Sequence, residues 1–404
     1  SKQHKDIKVG LICIGEGIGD TIISSKALFV AKEIFGAKCV LFGAKIAQNL
    51  CKDFSFIDEI VILSNIKQGY ILNEYEDKNP HICEKKYQKT TQERAQYKKQ
   101  EQNLINEFNK HSLDYLIIGS PRARNIKLAK ATNAKKIFCA LKFDSLFSLK
   151  CKTLPVYAIK SYQTKSFEEI LCLFVRLINP KIYDEKISSL DFSSSAMRLR
   201  TNPTHKQYIN EFLAKSTPQI LSKQNLANQN NKKHLVMINP FSVSGNSSLS
   251  INGFFDIIAS ICNKYKNSIT LVATYPKVHH DFLQAKAEYE KHTTLENLVI
   301  FPNNDDIFNI VELLSRATCL ISPSTGTAHL AANVGIPTIA LYGKRDMNRW
   351  LLGGGHINAS YTKASYIVLE QNLATLCQNQ TLEKQYISKV LETLDEVLEV
   401  ASPK

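Results

Sequence analysis

The chain has 404 residues, a formal net charge of +14 and 44% hydrophobic content, enough for two domains with ample core. No apolar run approaches the ~20 residues of a membrane span. Val9 to Ile14 reaches Glu16 too soon for the apolar stretch of a signal peptide, so a cytoplasmic protein is expected. The ten cysteines form no Cys-x-x-Cys, and several sit inside apolar strands, which suits reduced, buried thiols and argues against disulfides or a zinc site. A solvated, Lys-rich surface accounts for much of the charge. A basic face also suits anionic lipid headgroups or a phosphorylated glycolipid. Without a zinc finger, an RNP-like motif or an Arg-rich helix, no nucleic-acid partner is expected.

In chain order, Ile7 to Ile14 reads as a strand. Gly15-Glu-Gly-Ile-Gly-Asp20 follows, then an amphipathic helix from about Thr21 to Phe35. Strands over Ala37–Phe42 and Ile57–Leu63, with a helix over Ala44–Cys51 between them, give the alternation of a parallel, doubly wound sheet. The three glycines invite a dinucleotide reading, but the third comes one residue early and no acidic residue ends the second strand. Asp20 has two readings, a cap on the first helix or a general base, with Glu16 in reserve. Residues 74–110 are dense in Lys, Glu, Gln and Tyr and read as a solvated helical insertion. Leu113–Ser120 is a strand, Pro121 to Asn125 opens a helix, and Lys136–Leu141 is a strand. Arg122 and Arg124 therefore stand at a strand's carboxyl end, where open α/β sheets bind ligands, and suit a phosphorylated or carboxylate-bearing acceptor. Surface arginines are the equal alternative.

Ser161–Pro180 reads as an amphipathic helix, and strand signals fade from Asp184 to about Asn230. This places a domain boundary near residue 200, ahead of a helix over His205–Leu213. Strand His234–Asn239 opens the second domain. Its following loop, Pro240 to Ser250, is rich in hydroxyls and includes Ser242 and Ser244; it can hold phosphate. Helices and strands then alternate up to residue 316. Leu382–Val400 reads as a long amphipathic helix.

The densest signal is Ile321-Ser-Pro-Ser-Thr-Gly-Thr-Ala-His-Leu-Ala-Ala-Asn333, followed by Gly335-Ile-Pro-Thr-Ile-Ala-Leu-Tyr-Gly343. It reads as strand, turn, helix and strand. The turn sets free backbone N–H groups and a helix N-terminus at the carboxyl end of a strand, which is an anion site. Gly326 permits close backbone approach. An ordinary capped helix is the other reading.

Thr-Gly-x-x-His-Leu-Ala-Ala, then Pro, then an apolar strand ending Tyr-Gly, resembles the donor-site signature of glycosyltransferase family 9, the ADP-heptose:lipopolysaccharide heptosyltransferases and their relatives. Gly19-Asp20 before an apolar helix, and the run Phe-Ile-Asp-Glu-Ile-Val-Ile-Leu ending at Leu63, resemble the start of the same enzymes. Two departures stand out. Ser324 replaces the Asp usual before Thr-Gly, and the loop 242–250 lacks the usual Lys before Trp-Pro.

The resemblance implies a GT-B fold, two doubly wound Rossmann-like parallel-sheet domains facing each other across a cleft. The expected domains are an acceptor-binding one over 1–200 and a nucleotide-sugar-binding one over 201–380, with helix 381–404 packing back onto the first. The implied activity is inverting transfer of a heptose from ADP-heptose to a lipopolysaccharide or lipooligosaccharide core or a related surface glycan, in a Gram-negative bacterium. Asp20 would be the base. Ser242, Ser244, Ser324, Thr325, Gly326, Thr327, His329 and Lys344 would bind the donor, and Glu16, Arg122 and Arg124 the acceptor. No cofactor or obligatory metal is expected, since the chain has no Asp-x-Asp. Partners would be the nucleotide sugar, a glycolipid or glycan and, peripherally, the inner membrane surface. The rivals are a different donor or acceptor, such as a protein, a non-catalytic nucleotide- or glycan-binding relative, and a sugar-nucleotide epimerase.

Overall fold

The computed structural model describes residues 7–63, 91–120, 123–216, 234–242, 247–266, 268–344, 346–353, 363–374 and 380–401. The described residues form two compact units, one within Ser1–Arg198 and the other within Leu199–Gly353 and Asn358–Lys404.

In the first unit six parallel strands lie in the order β3-β2-β1-β4-β5-β6. They are β1 (Lys8–Ile12), β2 (Lys38–Gly43), β3 (Glu59–Ile62), β4 (Tyr115–Ile118), β5 (Lys136–Ala140) and β6 (Cys151–Leu154). This is the doubly wound order in which the winding reverses between β1 and β4, and ligands bind at the carboxyl ends of strands at such a point. The edge strand β6 was not expected, because Cys-Lys-Thr-Leu is too short to carry a periodic signal.

Helix Ile18–Phe35 was expected to be amphipathic, yet it is buried on nearly all sides, Ser24, Ser25 and Lys26 included. One side meets the sheet and the other packs on helix Phe167–Arg176. Its polar groups are matched internally. Ser24 Oγ accepts from the Ile14 N–H at 3.1 Å, Ser25 Oγ donates to the Ile22 carbonyl, and Lys26 Nζ donates to both carboxylate oxygens of Glu168 at 2.9 and 2.8 Å. Gly36 ends the helix in the left-handed region, φ 61°, where a side chain would strain the backbone. Of the insertion expected over 74–110, helix Thr91–Lys110 is described and the rest lies outside the described residues. Its Leu104 and Phe108 are buried, and Phe108 stacks on Phe42 with centroids 4.2 Å apart.

In the second unit six parallel strands lie in the order β12-β11-β10-β7-β8-β9. They are β7 (Leu235–Ile238), β8 (Ile269–Thr274), β9 (Leu298–Pro302), β10 (Cys319–Pro323), β11 (Thr338–Gly343) and β12 (Ala364–Leu369). Counted from β7, the winding repeats that of the first unit, with its reversal between β7 and β10. One side of the sheet is closed by helix Ile251–Lys264 and helix Gln380–Val400.

The last helix, Gln380–Val400, joins the core of the second unit. The reason is its apolar stripe of Tyr386, Ile387, Val390, Leu394 and Leu398, which is buried with Phe254, Ile258 and Leu341. Polar contacts hold it in register, among them Tyr265 and Lys264 to Asp395, and the Ser250 N–H to Glu383 Oε1 at 2.6 Å.

The buried Lys26–Glu168 pair gives a direct test of the first unit. Lys26→Met strands a buried carboxylate and is expected to lower the urea-unfolding stability by about 3–5 kcal/mol, whereas Lys26→Met combined with Glu168→Leu recovers most of that loss.

Candidate functional site

The first unit's site begins where β1 ends. Gly119, just past β4, presses its backbone on this turn: its N–H donates to the Ile12 carbonyl at 2.9 Å, and a Cβ there would sit 2.5 Å from that oxygen. The turn Gly15–Gly17 then leads into helix Ile18–Phe35. Asp20 does not occupy the cap position; Gly17 does, and Asp20 Oδ2 reaches back to accept the Gly17 N–H at 2.8 Å. Gly15 leaves room for that carboxylate, since a Cβ on it would lie 2.4 Å from Oδ2. Asp20 is thus held by its own loop at the carboxyl end of β1, half-buried, while Glu16 beside it is exposed. Arg124 is exposed at the start of helix Ala123–Ala131, beyond the carboxyl end of β4. Arg122 lies outside the described residues. Burial pushes the Cys13 thiol beneath the loop up to about 12, so it stays neutral and is no nucleophile.

The second unit's site lies at the carboxyl ends of β7 and β10, again at the reversal. Helix Gly326–Val334 starts here, with Thr325 as its N-cap residue. The Thr325 hydroxyl makes no cap hydrogen bond. Asn239, the first residue past β7, donates from Nδ2 to Thr325 Oγ1 and to Ser322 Oγ, both at 3.0 Å, and so turns the hydroxyl inward. The N–H groups of Thr325, Gly326 and Thr327 have no acceptor among the described residues. A helix start in this state presents partial positive charge and unpaired donors to an anion.

Two other helices of this unit close their starts with a side chain. Ser250 caps helix Ile251–Lys264 by accepting the Gly253 N–H at 3.0 Å, and the Glu383 carboxylate takes the Ser250 N–H. Asp306 caps helix Ile307–Arg316. The hydroxyl-rich loop was expected to hold phosphate. At its described end, 247–250, the Ser250 N–H is taken by the Glu383 carboxylate; Ser242 is half-buried just past β7, and Ser244 lies outside the described residues.

Three further candidates have defined places. Ser324 is half-buried and hydrogen-bonds the phenol of Tyr342, whose pKa burial raises above the usual tyrosine range; the phenol also donates to the Trp350 carbonyl at 2.6 Å. His329 is buried, with its ring edge-on to Trp350 at 6.5 Å. Trp350 itself packs on the cluster of Ala328, Ala332, Ala340, Tyr342 and Leu352. Lys344 is exposed directly after β11, at the same end of the sheet as Thr325, and Arg345 lies outside the described residues.

Sequence reasoning missed a pocket of about 80 Å³ beside this turn, lined by Asn239, Phe241, Thr274, Tyr275, Asn303 and Thr327 among others. Tyr275 is partly exposed, and Phe241 braces it edge to face at 5.7 Å. Asn303 is anchored by its bonds to the Asp306 carbonyl and to Asn309. The available signal was position: Asn239, Tyr275 and Asn303 each follow a strand, at the ligand-binding end of the sheet.

Two doubly wound units of this kind are the architecture of a GT-B glycosyltransferase. Residues 261–387 match the family model described as glycosyltransferase family 9 (heptosyltransferase). A glycosyltransferase family 9 structure from Veillonella parvula DSM 2008 is similar at TM-score 0.63 and 13% identity, covering 98% of each chain. E. coli ADP-heptose lps heptosyltransferase II is similar at TM-score 0.60 and 13% identity, over 97% of this chain and 98% of that one. E. coli heptosyltransferase WaaC, solved with ADP, is similar at TM-score 0.56 and 12% identity, over 97% of this chain and 100% of that one. No curated protein matches the sequence. The resemblance to family 9 drawn from the motifs is thus matched by the family model over residues 261–387, and the GT-B fold by the solved structures.

The turn depends on Asn239, and this can be measured. Asn239→Ala leaves the buried hydroxyls of Ser322 and Thr325 without their shared donor. Urea unfolding is expected to show a loss of about 1–3 kcal/mol.

Proposed function

We propose that the chain transfers a heptose from ADP-heptose, with inversion, to a lipopolysaccharide or lipooligosaccharide core or a related surface glycan. The observation that carries this reading is the open N-terminus at Thr325–Thr327, in a unit that matches the family 9 model over residues 261–387. The similar WaaC structures hold ADP and ADP-2-deoxy-2-fluoro heptose.

Transfer by one displacement at the anomeric carbon needs a base on the acceptor hydroxyl, and Asp20 is the candidate. The Gly17 N–H orients its carboxylate. The reaction also needs the departing diphosphate stabilised as charge develops. The N–H groups of Gly326 and Thr327 and the helix dipole supply preorganised donors. Lys344 is the cation proposed to neutralise the diphosphate in place of the Lys missing from the loop 242–250, so no obligatory metal is invoked. The pocket at Tyr275 and Asn303 is proposed to take the nucleobase, with the Tyr275 ring as its stacking face. Glu16, Arg122 and Arg124 are proposed on the acceptor side, and a glycolipid acceptor brings the protein to the membrane surface.

A second reading has its own support: a different nucleotide-sugar donor or acceptor on the same chemistry. Ser324 engages Tyr342 where the family usually has an Asp, and Glu383 fills the helix start where the family usually places a Lys-bearing phosphate loop.

Titration separates the two. At a hundredfold excess over its dissociation constant, a true ligand stabilises the fold by about 2.7 kcal/mol. ADP and ADP-heptose are expected to do so selectively, and Thr325→Val to lose the effect. Stabilisation by UDP-, GDP- or CMP-sugars instead would discard heptose, and no response to any nucleotide would discard the transferase. With the stabilising donor, Asp20→Asn is expected to lower kcat by about 10²–10⁴ while leaving the donor-induced stabilisation in place. Turnover is expected to survive EDTA.

A further inference from the structure

The first unit exposes large apolar side chains along one sheet edge. Between β5 and β6, Phe143 is 78% exposed, Phe147 86% and Leu149 96%; past β6, Tyr157 and Ile159 are close to half exposed. Phe143 and Phe147 sit one helical turn apart with their rings edge to face, centroids 6.2 Å apart, and both project into solvent rather than into the core. Isolated exposed apolar residues are ordinary, but this many large ones within 17 residues of an edge mark an interaction surface.

The surrounding charge identifies the partner. Residues 142–165 hold five lysines and one acidic residue, Asp144. Cations from neighbouring elements reach the same segment: Lys130 Nζ donates to the Asp144 carbonyl at 3.0 Å, and Lys136 Nζ to the Leu149 carbonyl at 2.9 Å. Lys142 Nζ lies 5.7 Å from the Tyr157 ring. Protein interfaces exclude lysine from their apolar centres. Apolar side chains interleaved with long-stemmed ammonium groups instead match a lipid surface, where the apolar groups enter the acyl boundary and the ammonium groups remain at the phosphates.

We propose that this edge seats the protein on an anionic lipid bilayer, with Phe143, Phe147 and Leu149 entering the interface and Lys130, Lys136 and Lys142 meeting the headgroup phosphates. The proposal deepens the membrane contact of the proposed function, and it uses none of the residues proposed to bind the donor, so the two can fail separately.

Vesicle flotation tests it, with phosphatidylglycerol–phosphatidylethanolamine vesicles against phosphatidylcholine alone. The full chain is expected to float with the anionic vesicles, and less so at high salt or with phosphatidylcholine. Phe143→Ser with Phe147→Ser, and separately Lys130→Glu with Lys142→Glu, are each expected to lower partitioning roughly tenfold. Both pairs change surface groups, so melting temperature and nucleotide titration are expected to be unchanged, which keeps a failed lipid site distinct from a failed donor site. Failure of the wild type to float, or flotation of the Phe143→Ser/Phe147→Ser variant like the wild type, overturns the proposal. So does concentration-dependent self-association that this variant abolishes without any vesicle binding, which would make the occupant a second copy of the chain.

Discussion

The second unit turns on where one hydroxyl points. Thr325 occupies the cap position of helix Gly326–Val334, and a threonine there ordinarily closes the helix start with its own oxygen. Here Asn239 and Ser322 take that hydroxyl into the buried interior. Among the described residues the helix start has no acceptor for its N–H groups, which suits it to a ligand. Asn239 reaches across because the winding reverses between β7 and β10, so a residue leaving one strand stands beside the turn leaving the other. Topology, one amide side chain and an uncapped helix are a single arrangement.

The first unit uses the same topology differently. At its reversal the turn after β1 closes on itself, with Asp20 answering the Gly17 N–H and Gly15 making room. A helix start that already holds a carboxylate does not attract an anion, but it fixes that carboxylate in place. One unit therefore presents donors to negative charge and the other a fixed carboxylate, the two elements the proposed displacement calls for. The Glu383 carboxylate at the start of helix Ile251–Lys264 follows the same logic, because it takes the Ser250 N–H while Ser250 Oγ takes that of Gly253.

Much of this was legible in the residues. The apolar strands and the Gly-, Ser- and Thr-bearing turns betray a doubly wound chain, since strand burial and turn chemistry are local properties. Thr325-Gly326-Thr327 could be found because a helix start has a local signature. Asn239 could not, because its partners are 83 and 86 residues away and only the sheet brings them together. The Lys26–Glu168 pair spans 142 residues and hid the burial of a helix that looks amphipathic. The stripe of helix Gln380–Val400 announces a buried face but not that Phe254, Ile258 and Leu341 receive it. Ser324 reads as a ligand from its position, while its bond to Tyr342 depends on the neighbouring strand.

The most direct measurement is a crystal structure grown with ADP. The account predicts diphosphate oxygens within hydrogen-bonding distance of the Gly326 and Thr327 N–H groups, with Asn239 still holding the Thr325 hydroxyl. ADP bound instead at the Ser250–Gly253 turn with Glu383 displaced, or at the Gly15–Asp20 turn of the first unit, would contradict it.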